Sequence, residues 1–202
     1  MSVAEIPGRR ERPGRAAILR AAVEVMGEVG YEGASMRDMA ARAGVTVAAL
    51  YYHFDSKLDL LRQFLDEAYD VTLARIDRRL RAAEVTPVDQ LDELVGTLIA
   101  SHLHDEFAQL ASNVAYREYT RLNPPERKAI DRKRRRLLAM VEDVIVRGVA
   151  AGDFDTGDPR EAARAIIILA TSLVEPYREM GRPMADVIGL YQGFARRIVG
   201  AR

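Results

Sequence analysis

Cysteine and tryptophan are absent from this 202-residue chain, aromatic residues make up only 6% of it, and 30 Lys and Arg are balanced by 30 Asp and Glu. Without thiols there is no disulfide framework, no cysteine nucleophile and no cysteine-ligated zinc. The longest unbroken apolar run, residues 165–170, is far too short to cross a bilayer. Arg9, Arg10, Arg12 and Arg15 do not lead into a signal-type apolar core, because Glu24 and Glu28 interrupt the next apolar segment. The chain therefore reads as soluble and cytoplasmic, with no membrane partner. A formal net charge of zero gives no whole-molecule attraction for nucleic acid, so any such binding has to come from a local patch.

Period-two alternation is equally scarce, while apolar residues recur at intervals of three and four almost throughout, so the expected fold is all-α with about nine helices. Glycine and proline punctuate it. A first helix is expected from near Pro13, with Ile18, Leu19, Ala22, Val23 and Met26 inward and Gly30 as a left-handed cap. Ser35 is the expected N-cap of a short second helix that ends at Gly44, and Thr46 caps a third that runs to about Tyr52. Ser56 and Asp59 form a capping-box pattern before a fourth helix that reaches about Ala83, roughly 40 Å long. Later helices are expected from Thr86 and Pro87, across residues 105–122, from Pro124 and Pro125 to Gly148 or Gly152, from Asp158 and Pro159, and from Pro183. The expected organisation is a disordered basic arm over residues 1–12, a small helical domain over 13–60 and a larger helical domain over 61–202.

Residues 35–52 place two short helices across the turn Ala43-Gly44-Val45, the spacing of a helix-turn-helix. The exposed positions of the second helix, Thr46, Val47, Ala48, Ala49 and Tyr52, are mostly small enough for its backbone to approach base edges in a major groove. The run Ala43-Gly44-Val45-Thr46, then Leu50-Tyr51-Tyr52-His53-Phe54, then Ser56-Lys57 with Leu60-Leu61, resembles the DNA-binding segment of the tetracycline-repressor (TetR) family. The resemblance is close over residues 14–62 and architectural beyond. It implies a dimeric repressor of double-stranded operator DNA, with a helical ligand-binding and dimerisation domain behind a three-helix head.

Carried over by position, the resemblance assigns Ser35 and Thr46 to phosphates through hydroxyls and helix N-termini, and Tyr51, His53 and Lys57 to other backbone contacts. Arg37 is the candidate for a guanine edge, and Val47 and Ala48 for thymine methyls. Each has a plainer alternative: Tyr51 as a half-buried packing ring, His53 as a structural histidine, Lys57 as a solvated lysine. The basic arm either follows the minor groove or is simply a charged tail.

The resemblance further implies an effector cavity, for which the candidate lining is Phe107, Leu110, Val114, Arg117, Met140, Val144, Ile167, Thr171 and Tyr177, with Leu103 and Tyr116 beside them. Residues 116–127 and the pair Tyr177-Arg178 resemble the branch of the family that senses acyl-CoA esters, so an acyl-CoA type of small-molecule effector is one expectation. The run Lys133-Arg134-Arg135-Arg136 either meets CoA phosphates or forms a solvated face. The last two helices carry more apolar surface than one internal face can use, which suggests a homodimer interface, with a monomer core as the alternative. No catalytic constellation or phosphate loop is legible, and no cofactor is expected. His102 and His104 fall about 200° apart on a helix, which rules out joint metal chelation. The main functional expectation is a ligand-released repressor; the alternative is a DNA-binding helical protein without an effector.

Overall fold

The structure, a computed structural model, describes residues 14–81, 86–104, 106–173 and 181–201. These form α1 (Arg15–Gly33), α2 (Met36–Ala43), α3 (Val47–His53), α4 (Lys57–Arg81), α5 (Pro87–Leu103), α6 (Glu106–Glu118), a 3-10 turn (Tyr119–Arg121), α7 (Pro124–Ala151), α8 (Pro159–Thr171) and α9 (Met184–Ile198). No strand occurs among the described residues. The chain divides into two compact units, Met1–Leu60 and Leu61–Arg202, and the division falls inside α4. The expected arm over residues 1–12 lies outside the described residues.

In the first unit, Ile18, Ala22, Val23 and Met26 of α1 are buried with Met39 and Ala40 of α2, Leu50 of α3, and Phe54. Side-chain caps start the short helices. The Ser35 hydroxyl accepts from the Asp38 amide at 3.2 Å and donates to the Asp38 carboxylate, which in turn accepts from the Ser35 amide. This reciprocal box satisfies two amides that a helix start otherwise leaves without partners. Those hydrogen bonds from Ser35 hold the Asp38 carboxyl below its ordinary value. Gly44 closes α2 in the left-handed region (φ 67, ψ 30), with its amide on Ala41 O and the Val45 amide on Ala40 O, a Schellman arrangement.

Gly30 behaves differently from the expected helix cap. Its φ of 75 comes with a ψ of 166, a conformation that is essentially glycine's alone. It kinks α1 and adds a last turn of Tyr31, Glu32 and Gly33 beyond the kink.

The second unit packs around α5. Leu91, Leu94, Val95, Leu98 and Ile99 of α5 join Leu137, Val141, Val144 and Ile145 of α7, Ala163 and Ile166 of α8, and Val187 and Ala195 of α9 in one cluster. Thr86 and Asn123 start α5 and α7 with capping boxes to Asp89 and Glu126, each followed by proline in the first turn. Asp92 of α5 ties α9 in place: its carboxylate pairs with Arg196, and its carbonyl accepts from Gln192 Nε2 at 3.0 Å. Lys133 of α7 donates to Asp66 at 2.6 Å and Asp70 at 2.7 Å, one turn apart on α4. Desolvation works against the Lys133 charge, but the hydrogen bonds to both carboxylates outweigh it and its pKa rises.

The sixth helix is shorter than the expected 105–122 span: α6 ends at Glu118 and tightens into the 3-10 turn. In that turn residues i and i+3 align, so Arg121 sits over the buried Glu118 carboxylate and pairs with it. Leu122 and Asn123 are then extended ahead of Pro124, which disfavours helix at the residue before it. Helix α7 runs to Gly152, not Gly148, and Gly152 is its left-handed cap (φ 82). Gly148 has another task, because a Cβ there would lie 2.1 Å from Cδ2 of the buried Phe154 ring, which folds back on the last turn. Gly148→Ala is therefore expected to destabilise the protein by about 1–3 kcal/mol through overpacking. The check is a lower urea midpoint with unchanged slope; an unchanged midpoint contradicts this assignment.

Candidate nucleic-acid interface

Helix α3 has only seven residues and divides its surface cleanly. Leu50 is wholly buried, while Val47, Ala48, Tyr51 and Tyr52 are exposed, at positions that form one helical face. Tyr52 is 85% exposed and Tyr51 49%, so neither ring is buried in the head. Ala49, expected outward, is half-buried. Beneath this face Phe54 is enclosed, and the Arg15 guanidinium lies over its ring at 5.4 Å. His53 is half-buried, edge-on to Tyr52 with ring centroids 5.1 Å apart.

The two helix N-termini differ. Thr46 Oγ1 accepts from the Ala49 amide at 3.1 Å, and its hydroxyl proton remains available to an outside acceptor. The Ser35 hydroxyl spends its proton on Asp38, whose carboxylate occupies the start of α2. Lys57 points inward. Its ammonium donates to Tyr31 O at 2.7 Å and Ala34 O at 3.1 Å and lies over the Tyr31 ring at 4.2 Å. It thereby fixes the end of α1 to the start of α4 and keeps one N–H unspent.

The cations of α2 also separate. Arg42 makes a two-pronged bridge to Glu28 of α1, at 2.8 and 2.6 Å, and approaches Glu24. The hydrogen bond from Arg42 pulls the Glu28 carboxyl below its ordinary value, and Glu28 in turn raises Arg42. Arg37 is exposed and bonded to no acceptor among the described residues. Sequence reasoning passed over the Arg42 bridge, although Glu24, Glu28 and Arg42 lie in helices that a helix-turn-helix must pack together. It also placed Tyr52 outward but assigned a specific contact only to Tyr51, the less exposed ring of the pair.

The expected effector lining is dispersed. Met140, Val144 and Ile167 lie together in or against the core cluster. Val114 is buried, Phe107 and Leu110 are half-buried on α6, and the half-buried Thr171 bonds its hydroxyl to Ile167 O at 2.8 Å. Arg117 is exposed and Tyr116 is 86% exposed, so both turn outward. Position i+4 from Val114 is the inward one, and Glu118 takes it. Tyr177 lies outside the described residues. In the basic run Lys133 is committed to Asp66 and Asp70, and Arg134 stacks on Tyr119 at 4.7 Å, leaving Arg135 and Arg136 exposed. Sequence reasoning also missed that, among the described residues of the larger unit, Gln90 Oε1, Ser101 Oγ and Arg127 Nε are buried without a hydrogen-bond partner.

No group of three or more His, Cys, Asp or Glu side chains among the described residues is arranged to hold a metal ion. No helix among them is long and apolar enough to cross a membrane.

The family description "Bacterial regulatory proteins, tetR family" matches residues 18–64, and "Tetracyclin repressor-like, C-terminal domain" matches residues 84–199. The HTH-type transcriptional repressor KstR of Mycolicibacterium smegmatis is 36% identical over 98 residues, which is 48% of this chain and 48% of KstR. The chain thus spans about half the length of that curated relative. A solved regulatory protein of the tetR family from Rhodococcus RHA1 superposes with a TM-score of 0.83 at 26% identity, over 93% of this chain and 97% of the other. AibR, solved with isovaleryl coenzyme A and operator DNA, shares the fold with a TM-score of 0.79 at 21% identity, over 93% and 98% of the two chains. A head that matches over residues 18–64 and a helical body that matches over residues 84–199 agree in one assignment: this chain belongs to the tetR family of bacterial regulatory proteins.

Proposed function

We propose that the protein is a homodimeric transcriptional repressor that holds a palindromic operator through its helix-turn-helix heads and is released by a small-molecule effector. The observation that carries this reading is the exposed face of α3, formed by Val47, Ala48, Tyr51 and Tyr52. A face of that composition suits close approach to base edges, with thymine methyls against Val47 and Ala48. Arg37 supplies the bidentate contact to guanine. Thr46, Tyr51 and His53 meet phosphates, together with the unspent N–H of Lys57, and Ser35 acts by holding the N-terminus of α2 toward the backbone.

The dimer is assigned to α8 and α9. Ile168 is 58% exposed, and Leu190 and Ile198 are each 37% exposed, beside the small residues Ala165, Gly189 and Gly193 that permit close approach. Apolar side chains clustered on an outer face of a polar protein mark an interaction surface. A two-fold pairing of this face presents two heads to successive major grooves. An effector in the larger unit acts by changing the separation of the heads, and acyl-CoA esters are the class suggested by likeness to AibR.

Two experiments test the reading. Selection of bound fragments from a random duplex pool is expected to yield a palindrome with half-sites about one helical turn apart. On it, Arg37→Ala should flatten the preference for operator over random DNA, whereas Lys57→Ala should weaken both and lower the salt slope by about one. Lys57→Ala should also lower the melting temperature, since it removes both carbonyl contacts of the ammonium. Equal losses with unchanged preference in both variants contradict the roles. Separately, Ile168→Glu combined with Leu190→Glu is expected to give monomers in sedimentation and roughly a 100-fold loss of operator affinity. A stable dimer in that variant removes α8 and α9 from the interface.

A further inference from the structure

Lys128, Arg132, Arg135 and Arg136 of α7 are exposed, and none of them is bonded to an acceptor among the described residues. At about 100° per residue the four share an arc about 100° wide, on the side of the helix opposite the buried stripe of Ile130, Leu137, Val141 and Val144. Lys133 and Arg134 fall on the flanks of that stripe, where one reaches Asp66 and Asp70 on α4 and the other the Tyr119 ring. The basic run is thus sorted by the helix into two engaged cations and an outward row. Like charges three or four residues apart, as in Lys128 with Arg132 and Arg132 with Arg135 and Arg136, destabilise a helix. Farther along α7 the charges are paired instead, Asp143 with Arg147 and Glu142 with Arg160 of α8. Folding alone gives no reason for the row.

The charge of the first unit gives it a use. Residues 1–60 hold seven Arg and one Lys against five Glu and three Asp, which cancel. Among the described residues of that unit, Arg20 pairs with Glu24, Arg42 with Glu28, Arg15 lies over Phe54, and Lys57 is bonded to two carbonyls. Sequence-independent affinity for duplex DNA comes from cations set against its phosphates, so a neutral head with engaged cations supplies little of it. The row on α7 extends over about 12 Å of helix. Duplex DNA carries one negative charge per roughly 1.7 Å of axis, about seven over that length, so the row matches a polyanion better than one bound phosphate group. An effector enclosed among the helices would meet the inward stripe, on the other side of α7 from the row.

We infer that Lys128, Arg132, Arg135 and Arg136 form a second DNA-binding surface, one that holds the phosphate backbone of duplex DNA without reading its sequence. This rests on the DNA-binding reading and assigns the salt-dependent, sequence-independent part of that binding to the larger unit. Selectivity stays with the head, because a row of cations against phosphates carries no information about bases.

The test measures the affinity of the full chain for a random-sequence duplex across a salt series. In one variant the four cations of the row are replaced by Gln, which removes the charge and keeps a good helix former. In a control, Arg81, Arg147, Arg160 and Arg164, each paired with an acid, are replaced by Gln, which changes the net charge equally. The row variant is expected to bind random duplex about tenfold weaker or more at low salt, with the slope of log affinity on log salt reduced by about three, and to select the same operator as the wild type. Arg132→Gln alone should reduce the slope by about one, and the control should keep most of it. An unchanged slope in the row variant overturns the proposal, including where that variant loses its response to isovaleryl coenzyme A, which would make the row a site for effector phosphates. Equal reductions in the row variant and the control overturn it as well, since net charge would then account for both. A wild type that selects an operator while the row variant keeps its slope defeats this proposal and leaves the regulator reading intact, whereas a wild type that binds no duplex removes both.

Discussion

A helix of seven residues has no independent stability in water, because the cost of its first turn is not recovered over so short a length. Helix α3 exists because Thr46 caps it, Gly44 turns the chain into it, and Leu50 is fully enclosed by the head. One enclosed side chain suffices, and that economy releases the opposite face. The Leu50 anchorage and the freedom of Val47, Ala48, Tyr51 and Tyr52 are two sides of one arrangement. The rest of the head serves it. The Arg42 fork on Glu28 joins α2 to α1, and Lys57 seizes the two carbonyls that the kink at Gly30 brings to the end of α1. In that setting Arg42 is already committed, which leaves Arg37 as the exposed cation of α2 bonded to no acceptor among the described residues.

The larger unit solves the opposite problem. Its helices are long and amply buried, and α5 touches α6, α7, α8 and α9, so the apolar cluster alone leaves relative rotation weakly specified. Directional contacts supply the register. Asp92 holds α9 through both its carboxylate and its carbonyl, and Lys133 holds successive turns of α4. Such pairs contribute little to net stability near a surface, since charge desolvation offsets much of the attraction, but they penalise misaligned packings in which one charge loses its partner.

Helix starts were legible in the sequence because caps are local chemistry. Ser35, Thr46, Thr86, Asn123 and Asp158 each satisfy an amide within three residues, and proline follows three of them. The two helix ends that shifted, those of α1 and α6, depended on more than local pattern. Gly30 offered a positive φ, but whether the helix would end or kink there was not written locally; Lys57, from the start of α4, bonds the Tyr31 and Ala34 carbonyls that follow the kink. Residues 119–121 have helical composition, and what shortens that helix is the buried Glu118 drawing Arg121 into a tighter turn. At the interface, spacing located the helix-turn-helix, but not which basic residues were already engaged. Arg37, Arg42 and Lys57 look alike as letters, and their tasks separate only when α1, α2 and the start of α4 are packed. The larger unit was least legible, because a core residue and a cavity wall have the same composition.

Positions that break the rule of their own element are therefore the informative ones. An exposed tyrosine on a short helix, an isoleucine on an outer face and a histidine in a leucine stripe each carry a cost that folding alone does not explain. Tyr52 could be polar without loss to the head, Ile168 could be charged without loss to the core, and a leucine at 102 would fill the stripe without burying a polar ring. The proposed function gives the first two a use: duplex DNA against α3 and a second copy against α8 and α9.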